Sequence, residues 1–306
     1  MESTSSSSHV AFLAFPFGSH ASLLFSLAGH LAISLPSGTF SFFSTARSNS
    51  FLVRSNHLWP TNLRSYGLVP RNFYKRMAAV EEEIGRVTCV VSDGFWGFAG
   101  DLAAERGALW VTHWCCCPKA LLAHLCTDLL RQSAGPDGDR EIAEGLQASG
   151  TPFLWSLKEI AWGHLPADFL DYVASRGLIV PWAPQPQVLE HSAVGAFLTH
   201  GGWNSVLDGI TAGVPMIIKP YLGDQFLDAR MVTDVWNIGV GFEGGVIKKD
   251  EMVNALNVIL GSKRGKTMKE KINELKSMAL QGIKPGGSST KNLDALEKMV
   301  ASCQHN

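Results

Sequence analysis

Apolar runs too short for a helix recur along this chain, and each closes on a turn of polar or glycine residues. His9 to Phe15 ends at Pro16-Phe-Gly18-Ser19, Val87 to Ser92 ends at Asp93, and Ala196 to Thr199 ends at His200-Gly-Gly. A strand buried on both faces needs apolar side chains at nearly every position, and such strands belong to parallel sheets covered by helices. Helical patterns follow the runs, as from Ala21 to about Leu35. The spacing therefore predicts α/β architecture built from strand–helix–strand units.

Further strands are expected at Thr39 to Ser44, which alternates and is rich in β formers, and at Leu109 to Val111. A helix from Lys75 to Gly85 feeds the Val87 strand. A run of Gln132 to Asp139 rich in Gly, Pro, Ser and Asp breaks the pattern, and the domain boundary is placed there, giving domains 1–136 and 137–306. Beyond it, a helix is expected over Arg140 to Ala148. Strands are expected at Phe153 to Leu157, Leu178 to Val180, Ala196 to Thr199 and Pro215 to Ile218, forming a second open sheet. Helices follow near Asn204, Phe226 and Asp250, and an amphipathic helix runs from Thr290 to Ala301.

Composition narrows the function classes. Hydrophobic residues make up 46% of the 306 residues and charged residues 17%, enough apolar material for two modest cores. A formal net charge of −1 argues against a nucleic-acid surface. Three of the six cysteines are adjacent (Cys115, Cys116, Cys117), a poor arrangement for one tetrahedral metal, and no CxxC pair accompanies them. Reduced thiols in a reducing compartment are expected instead. The start carries Glu2 and no basic segment, and no run is apolar enough to span a bilayer, so a cytoplasmic protein without membrane insertion is expected.

The densest chemistry lies between Trp182-Ala183-Pro-Gln185 and Gly223-Asp224-Gln225, with His200-Gly-Gly-Trp203-Asn204-Ser205 in the middle. An indole offers a flat face for a base. Asp208 offers an acceptor for ribose hydroxyls. Gly201-Gly202 allow close backbone approach, and the helix start at Asn204-Ser205 presents free N–H groups to a diphosphate. Asp224 and Gln225 follow a strand end, where open α/β sheets bind ligands. Taken singly these residues have plainer explanations: Trp182 as core, His200-Gly-Gly as a tight turn, Asp224-Gln225 as surface. Jointly and in this order they favour a sugar nucleotide. His20 and Asp93 each follow a strand, and two strand ends at one crevice would join an imidazole to a carboxylate. Such a pair can take the proton of an attacking hydroxyl. A helix-start His20 and an N-cap Asp93 remain equally open from the residues alone.

The segment from Trp182 to Gln225 resembles the signature box of plant secondary-metabolite UDP-glycosyltransferases. The opening His9-Val-Ala-Phe-Leu-Ala-Phe-Pro-Phe-Gly-Ser-His20 and Val90-Val-Ser-Asp93-Gly-Phe-Trp resemble the flavonoid and anthocyanidin 3-O-glucosyltransferases of that family. The resemblance implies a GT-B-like fold, two Rossmann-like domains facing a cleft, both shortened here, with the C-terminal helix packing back toward the N-terminal domain. It implies an inverting transfer of glucose from UDP-glucose, a co-substrate, to a small phenolic acceptor by a monomer that needs no cofactor and no metal. It assigns His20 and Asp93 as catalytic pair. Trp182 and Gln185 fall to uracil and ribose; His200, Asn204 and Ser205 to the diphosphate; Asp208 to ribose; Asp224 and Gln225 to the sugar; Ala183 and Trp203 belong to the same UDP-sugar site. Gly18, Trp114 and Cys115 fall to the acceptor. Three positions depart from the family pattern: Asp208 stands for Glu, Gly201 for Cys and Cys115 for Thr.

Family members are about half as long again. Gaps fall near Tyr66 to Asn72 and near Ser133 to Asp139, and the second removes the first strand of the donor domain with its Ser-Phe-Gly-Thr-like turn. The expected consequence is exposed sheet edges and apolar faces. A non-catalytic UDP-binding paralogue is the alternative. Gly239-Val-Gly241-Phe-Glu-Gly244 formally fits a dinucleotide fingerprint, but the following helix starts near Lys249, too late for that role, and a short strand and turn are expected. No GxSxG elbow supports a hydrolase.

Overall fold

A computed structural model describes residues 8–16, 18–55, 59–68, 73–115, 138–221, 223–242 and 247–303. Cys116, Cys117, the expected boundary at 136/137 and the Gly244 end of the glycine motif lie outside these residues. The chain divides into two compact units. Met1–Cys115 with Ile283–Asn306 form the first, and Cys116–Gly282 form the second.

The first unit is built on a parallel sheet of β1 (His9–Leu13), β2 (Thr39–Thr45), β3 (Leu63–Leu68), β4 (Cys89–Asp93) and β5 (Leu109–His113), in the order β3-β2-β1-β4-β5. Its helices are α1 (Gly18–Ser34), α2 (Ala46–Ser55), α3 (Phe73–Ile84) and α4 (Ala99–Glu105). Strand alternation sorts the core. Val10, Phe12, Phe40, Phe42, Cys89 and Val91 share one cluster with Leu24, Ala28 and Leu31 of α1. Ala11, Leu13, Phe43 and Val90 share the other with Met77 and Val80 of α3 and Leu102 of α4. Both sheet faces are therefore covered, which is why β1 and β4 are buried along their whole length. The amphipathic C-terminal stretch also belongs here: Val300 is fully buried in the first cluster, and Leu296 and Cys303 pack against it.

The second unit contains α5 (Gly138–Ser149), β6 (Phe153–Ser156), a 3-10 turn (Glu159–His164), α6 (Phe169–Arg176), β7 (Gly177–Val180), α7 (Gln185–Glu190) and β8 (Phe197–Thr199). Then come α8 (Trp203–Ala212), β9 (Met216–Ile218), α9 (Gln225–Arg230), a π turn (Met231–Val235), β10 (Gly239–Gly241), α10 (Lys249–Gly261) and α11 (Lys263–Gly282). The last helix, α12 (Ser288–Ala301), returns to the first unit. Met216 and Ile218 of β9 pack with Val206 and Ile210 of α8 and Ile272 of α11. Ile217 points the other way, to Ile142 and Leu146 of α5 and Met252 and Leu256 of α10.

One open sheet was expected in this unit, and two form. Strands β10-β9-β8 make one and β6-β7 another, with no strand joining β6 to β8 among the described residues. In a doubly wound sheet the first strand sits centrally, between the two halves. No such central strand links the two sheets among the described residues. The pair β6-β7 survives because Phe153, Trp155 and Ile179 still pack on the α5/α10 core. Its other face is open: Leu154 and Leu178, directly paired across the strands, are 45% and 53% exposed.

Candidate active site and donor site

In the first unit the sheet order reverses between β1 and β4, so the crevice at their carboxyl ends is the place where a ligand is expected. Asp93 is the last residue of β4 and is fully buried. His20 lies not in a loop but in the first turn of α1, because the helix begins at Gly18, only four residues beyond β1. The two side chains meet: Nδ1 of His20 lies 2.8 Å from Oδ2 of Asp93. The second carboxylate oxygen accepts from the Phe95 N–H at 3.0 Å. Aromatic rings hem the imidazole in, with Phe15 and Phe95 centred 5.7 and 5.5 Å from it.

Cys115 completes the cluster, its Sγ 3.1 Å from His20 Nδ1 and 3.5 Å from Nε2. Burial acts to lower the pKa of His20. Hydrogen bonds to Asp93 and Cys115, with the charge at both, outweigh it and push the value up to about 10. Trp114 packs against Phe95 at 5.8 Å and lies close over Gly94. Neighbouring His113, paired with Asp93 in the β4–β5 register, goes the opposite way: burial lowers its pKa, helped by His20 and opposed by Asp93.

In the second unit the carboxyl ends of β8 and β9 carry His200 and the segment Lys219 to Gln225. Gly201 has φ of 78°, a left-handed conformation, and an added Cβ would sit 2.7 Å from Ile218 Cγ2. Glycine is thus required where the backbone turns from β8 into α8. Burial lowers the pKa of His200, and the charge on Asp224 opposes the shift, which places these two residues in one electrostatic neighbourhood. Gln225 Oε1 accepts from the Tyr221 N–H at 2.8 Å, fixing the turn before α9.

Gln185, at the start of α7, donates to Asp208 Oδ2 at 2.8 Å and to Ser205 Oγ at 3.4 Å, so α7 and α8 present these three polar groups together. Trp182 is 73% exposed, unlike a core tryptophan. Ala183 and Asn204 are half-buried beside it in sequence and at the α8 start respectively. Trp203, by contrast, packs into the α8/β9 core and against Trp236 at 6.2 Å, so its indole supports the α8 start from behind.

Lys219 escaped the sequence reading. It directly follows β9, its backbone N–H donates to the Thr199 carbonyl at the end of β8, and it is only 3% exposed. Its ammonium lies against Gly138, the first residue of α5, and 4.8 Å from the Tyr221 ring centre. No carboxylate pairs with it among the described residues. The sequence signal was there: a lysine directly after the apolar run Met216-Ile-Ile is out of place unless an anion meets it.

Comparison with known proteins decides the family. A profile described as UDP-glucoronosyl and UDP-glucosyl transferase matches residues 133–285. A flavonol 3-O-glucosyltransferase of Actinidia chinensis var. chinensis is 31% identical, with 100% of this chain and 99% of that protein aligned. The chain belongs to the UDP-glycosyltransferase family. Members of this family are glycosyltransferases, so the chain is of an enzyme family. A myricetin 3-O-rhamnosyltransferase of Crocosmia x crocosmiiflora is also 31% identical, over 97% of this chain and 98% of its own, so relatives equally similar differ in named sugar. The crystal structure of a UDP-glucose: anthocyanidin 3-O-glucosyltransferase in complex with UDP matches with a TM-score of 0.86 at 25% identity, covering 96% of this chain and 99% of that one. The GT-B type of fold follows for this UDP-glycosyltransferase. The alignment to the Actinidia protein runs 457 positions against 306 residues here, so long segments of the relative have no counterpart. Among the described residues no helix is long and apolar enough to cross a membrane.

Proposed function

We propose that the chain transfers glucose from UDP-glucose to a hydroxyl, the 3-OH, of a flavonoid or anthocyanidin, with inversion at the anomeric carbon. The observation that carries this reading is the His20–Asp93 contact of 2.8 Å at the switch point of the first sheet. Both named relatives and the matched crystal structure point to the same acceptor class.

His20 takes the proton of the acceptor hydroxyl as its oxygen bonds to the anomeric carbon. The bond from that carbon to the UDP oxygen breaks, and UDP leaves with the electron pair. Attack opposite the leaving group inverts the centre. Asp93, buried and anchored by the Phe95 N–H, holds the ring and stabilises the imidazolium that forms. The acceptor is a small phenol, lined by Gly18, Trp114 and Cys115.

On the second unit, Trp182 stacks on uracil with Ala183 beside it, and Gln185 with Asp208 takes the ribose. The start of α8, with His200, Asn204 and Ser205, faces the diphosphate, and the buried Lys219, at the carboxyl end of β9, is a further phosphate ligand. Asp224 and Gln225 hold the sugar hydroxyls, and Gln225 favours glucose. No metal and no other cofactor takes part, and the protein acts as a cytoplasmic monomer. Product-mass analysis with UDP-glucose and quercetin tests the reaction: a hexose-mass product is expected, and UDP binding without one overturns it. The second reading, a paralogue that binds UDP and transfers nothing, draws on the sheet split between β6 and β8, where the family's first donor-domain strand is missing.

A further inference from the structure

The catalytic cluster contains more than a base and its carboxylate. We infer that His20, Asp93 and Cys115 form a three-ligand site for a borderline-soft divalent cation such as Zn2+, and that its occupation switches the base off. An imidazole nitrogen, a carboxylate oxygen and a thiol sulfur lie within 4.8 Å of one another. Nitrogen, oxygen and sulfur are the donors zinc takes, and three protein ligands with an open fourth position is its usual exposed-site arrangement.

The spacing needs only slight opening. Bonds of about 2.0–2.3 Å to zinc put tetrahedral neighbours about 3.5 Å apart. Here nitrogen and oxygen are 2.8 Å apart, and sulfur and nitrogen 3.1 Å. Small side-chain rotations reach the required edge. The frame is stiff: Asp93 ends β4, and Cys115 lies two residues beyond His113, its neighbour in the β4–β5 pairing. The Phe95 N–H fixes the second carboxylate oxygen, the kind of outer contact that orients a metal ligand. The rings of Phe15 and Phe95 flank the imidazole, and the His20 side chain keeps 15% exposure through which an ion can enter.

Cys115 makes the difference. A hydroxyl in its place, as in the Thr of the family pattern, is a weak ligand for zinc, whereas a thiolate is a strong one. Binding at Nδ1 releases the thiol proton and, from the imidazolium, one ring proton to solvent; the proton that stays sits on Nε2, which then has no lone pair for the proton of the acceptor.

Cobalt(II) is the spectroscopic probe. Added to the full chain without donor or acceptor, it should produce a thiolate-to-metal charge-transfer band saturating at one equivalent and erased by Zn2+. In Cys115→Ser the band should vanish and the Zn2+ affinity, by calorimetry, should fall about a hundredfold, as loss of a ligand costs at least as much as loss of its outer support. Cys303→Ser should keep both. Should Cys115→Ser fold poorly, Cys115→Thr and Asp93→Asn, each checked by circular dichroism, serve the same purpose. An unchanged band in a folded Cys115 variant, or no band at millimolar cobalt, overturns the site. Zinc should also suppress sugar transfer in the unaltered chain and spare Cys115→Thr; equal inhibition of both overturns the switch. A chain that shows the band but transfers no sugar sinks the proposed reaction and leaves the metal site standing.

Discussion

At the scale of single residues, Asp93 and then the Cys115 thiol raise the pKa of His20 and with it the pH range of the proposed reaction. With a pKa of about 10, His20 is protonated in the free protein at neutral pH, and the base form grows as pH rises. Cys115→Thr removes the thiol partner while Asp93 remains. The ascending limb of kcat/KM against pH should therefore move to lower pH; an unmoved limb would remove Cys115 from control of the base. The same shift couples to folding. A group whose pKa is raised in the folded state lends stability that is full below its unfolded value, about 6.5 for imidazole, and that fades as pH rises through the folded value. The melting-temperature difference between the unaltered chain and His20→Gln should shrink as pH is taken up toward 10 in calorimetric scans. Lys219 allows a second test. Lys219→Met should weaken UDP by roughly ten- to a hundredfold, the range of a charge-assisted hydrogen bond, and leave uridine affinity nearly unchanged. Equal loss for both ligands would mean that the lysine supports the fold and not the phosphates.

At the scale of elements, strand ends do the positioning. Asp93 closes the buried β4 and His200 follows the half-buried β8, and a turn comes after each. Gly201 at φ of 78° is the sharpest of these turns. Gly201→Ala should cost about 1–2 kcal/mol from the left-handed backbone alone, with the Ile218 contact adding to it. A fall in the melting temperature of the second unit, read by differential scanning calorimetry, checks this; no change would show that the turn can relax. The element reading from sequence held where apolar runs were long. β1, β2, β4 and the helices α1, α3 and α12 were expected close to where they lie. It missed β3 because Leu63–Leu68 (Leu-Arg-Ser-Tyr-Gly-Leu) carries polar residues and falls beside an expected gap. That strand forms at the sheet edge, where one side needs no partner and polar side chains are tolerated. The reading also missed α11, whose Met268 and Ile272 are buried on an otherwise charged surface helix with too weak a stripe to stand out.

At the scale of the whole molecule, shortening is the dominant fact. Strands β6 and β8 each pair on one side only among the described residues. Leu154 and Leu178 form an apolar pair on an uncovered face. Such features favour association. At high protein concentration, where this face drives self-association of the monomer, Leu154→Lys should raise the monomer fraction in light scattering and leave the melting temperature nearly unchanged. If it destabilises the unit instead, that face is covered in solution.

The sequence by itself determined the alternation of strands and helices, the donor box and the candidacy of His20 and Asp93, because burial pattern and turn chemistry are local. Only the tertiary structure decided that imidazole, carboxylate and Cys115 thiol converge. That convergence depends on β1 and β4 being neighbours although about eighty residues separate them, a pairing set by sheet order and not by any local signal. It likewise decided that Lys219 meets the start of α5 and that the described strands of the second unit form two small sheets in place of one, since strand pairing joins segments distant in sequence.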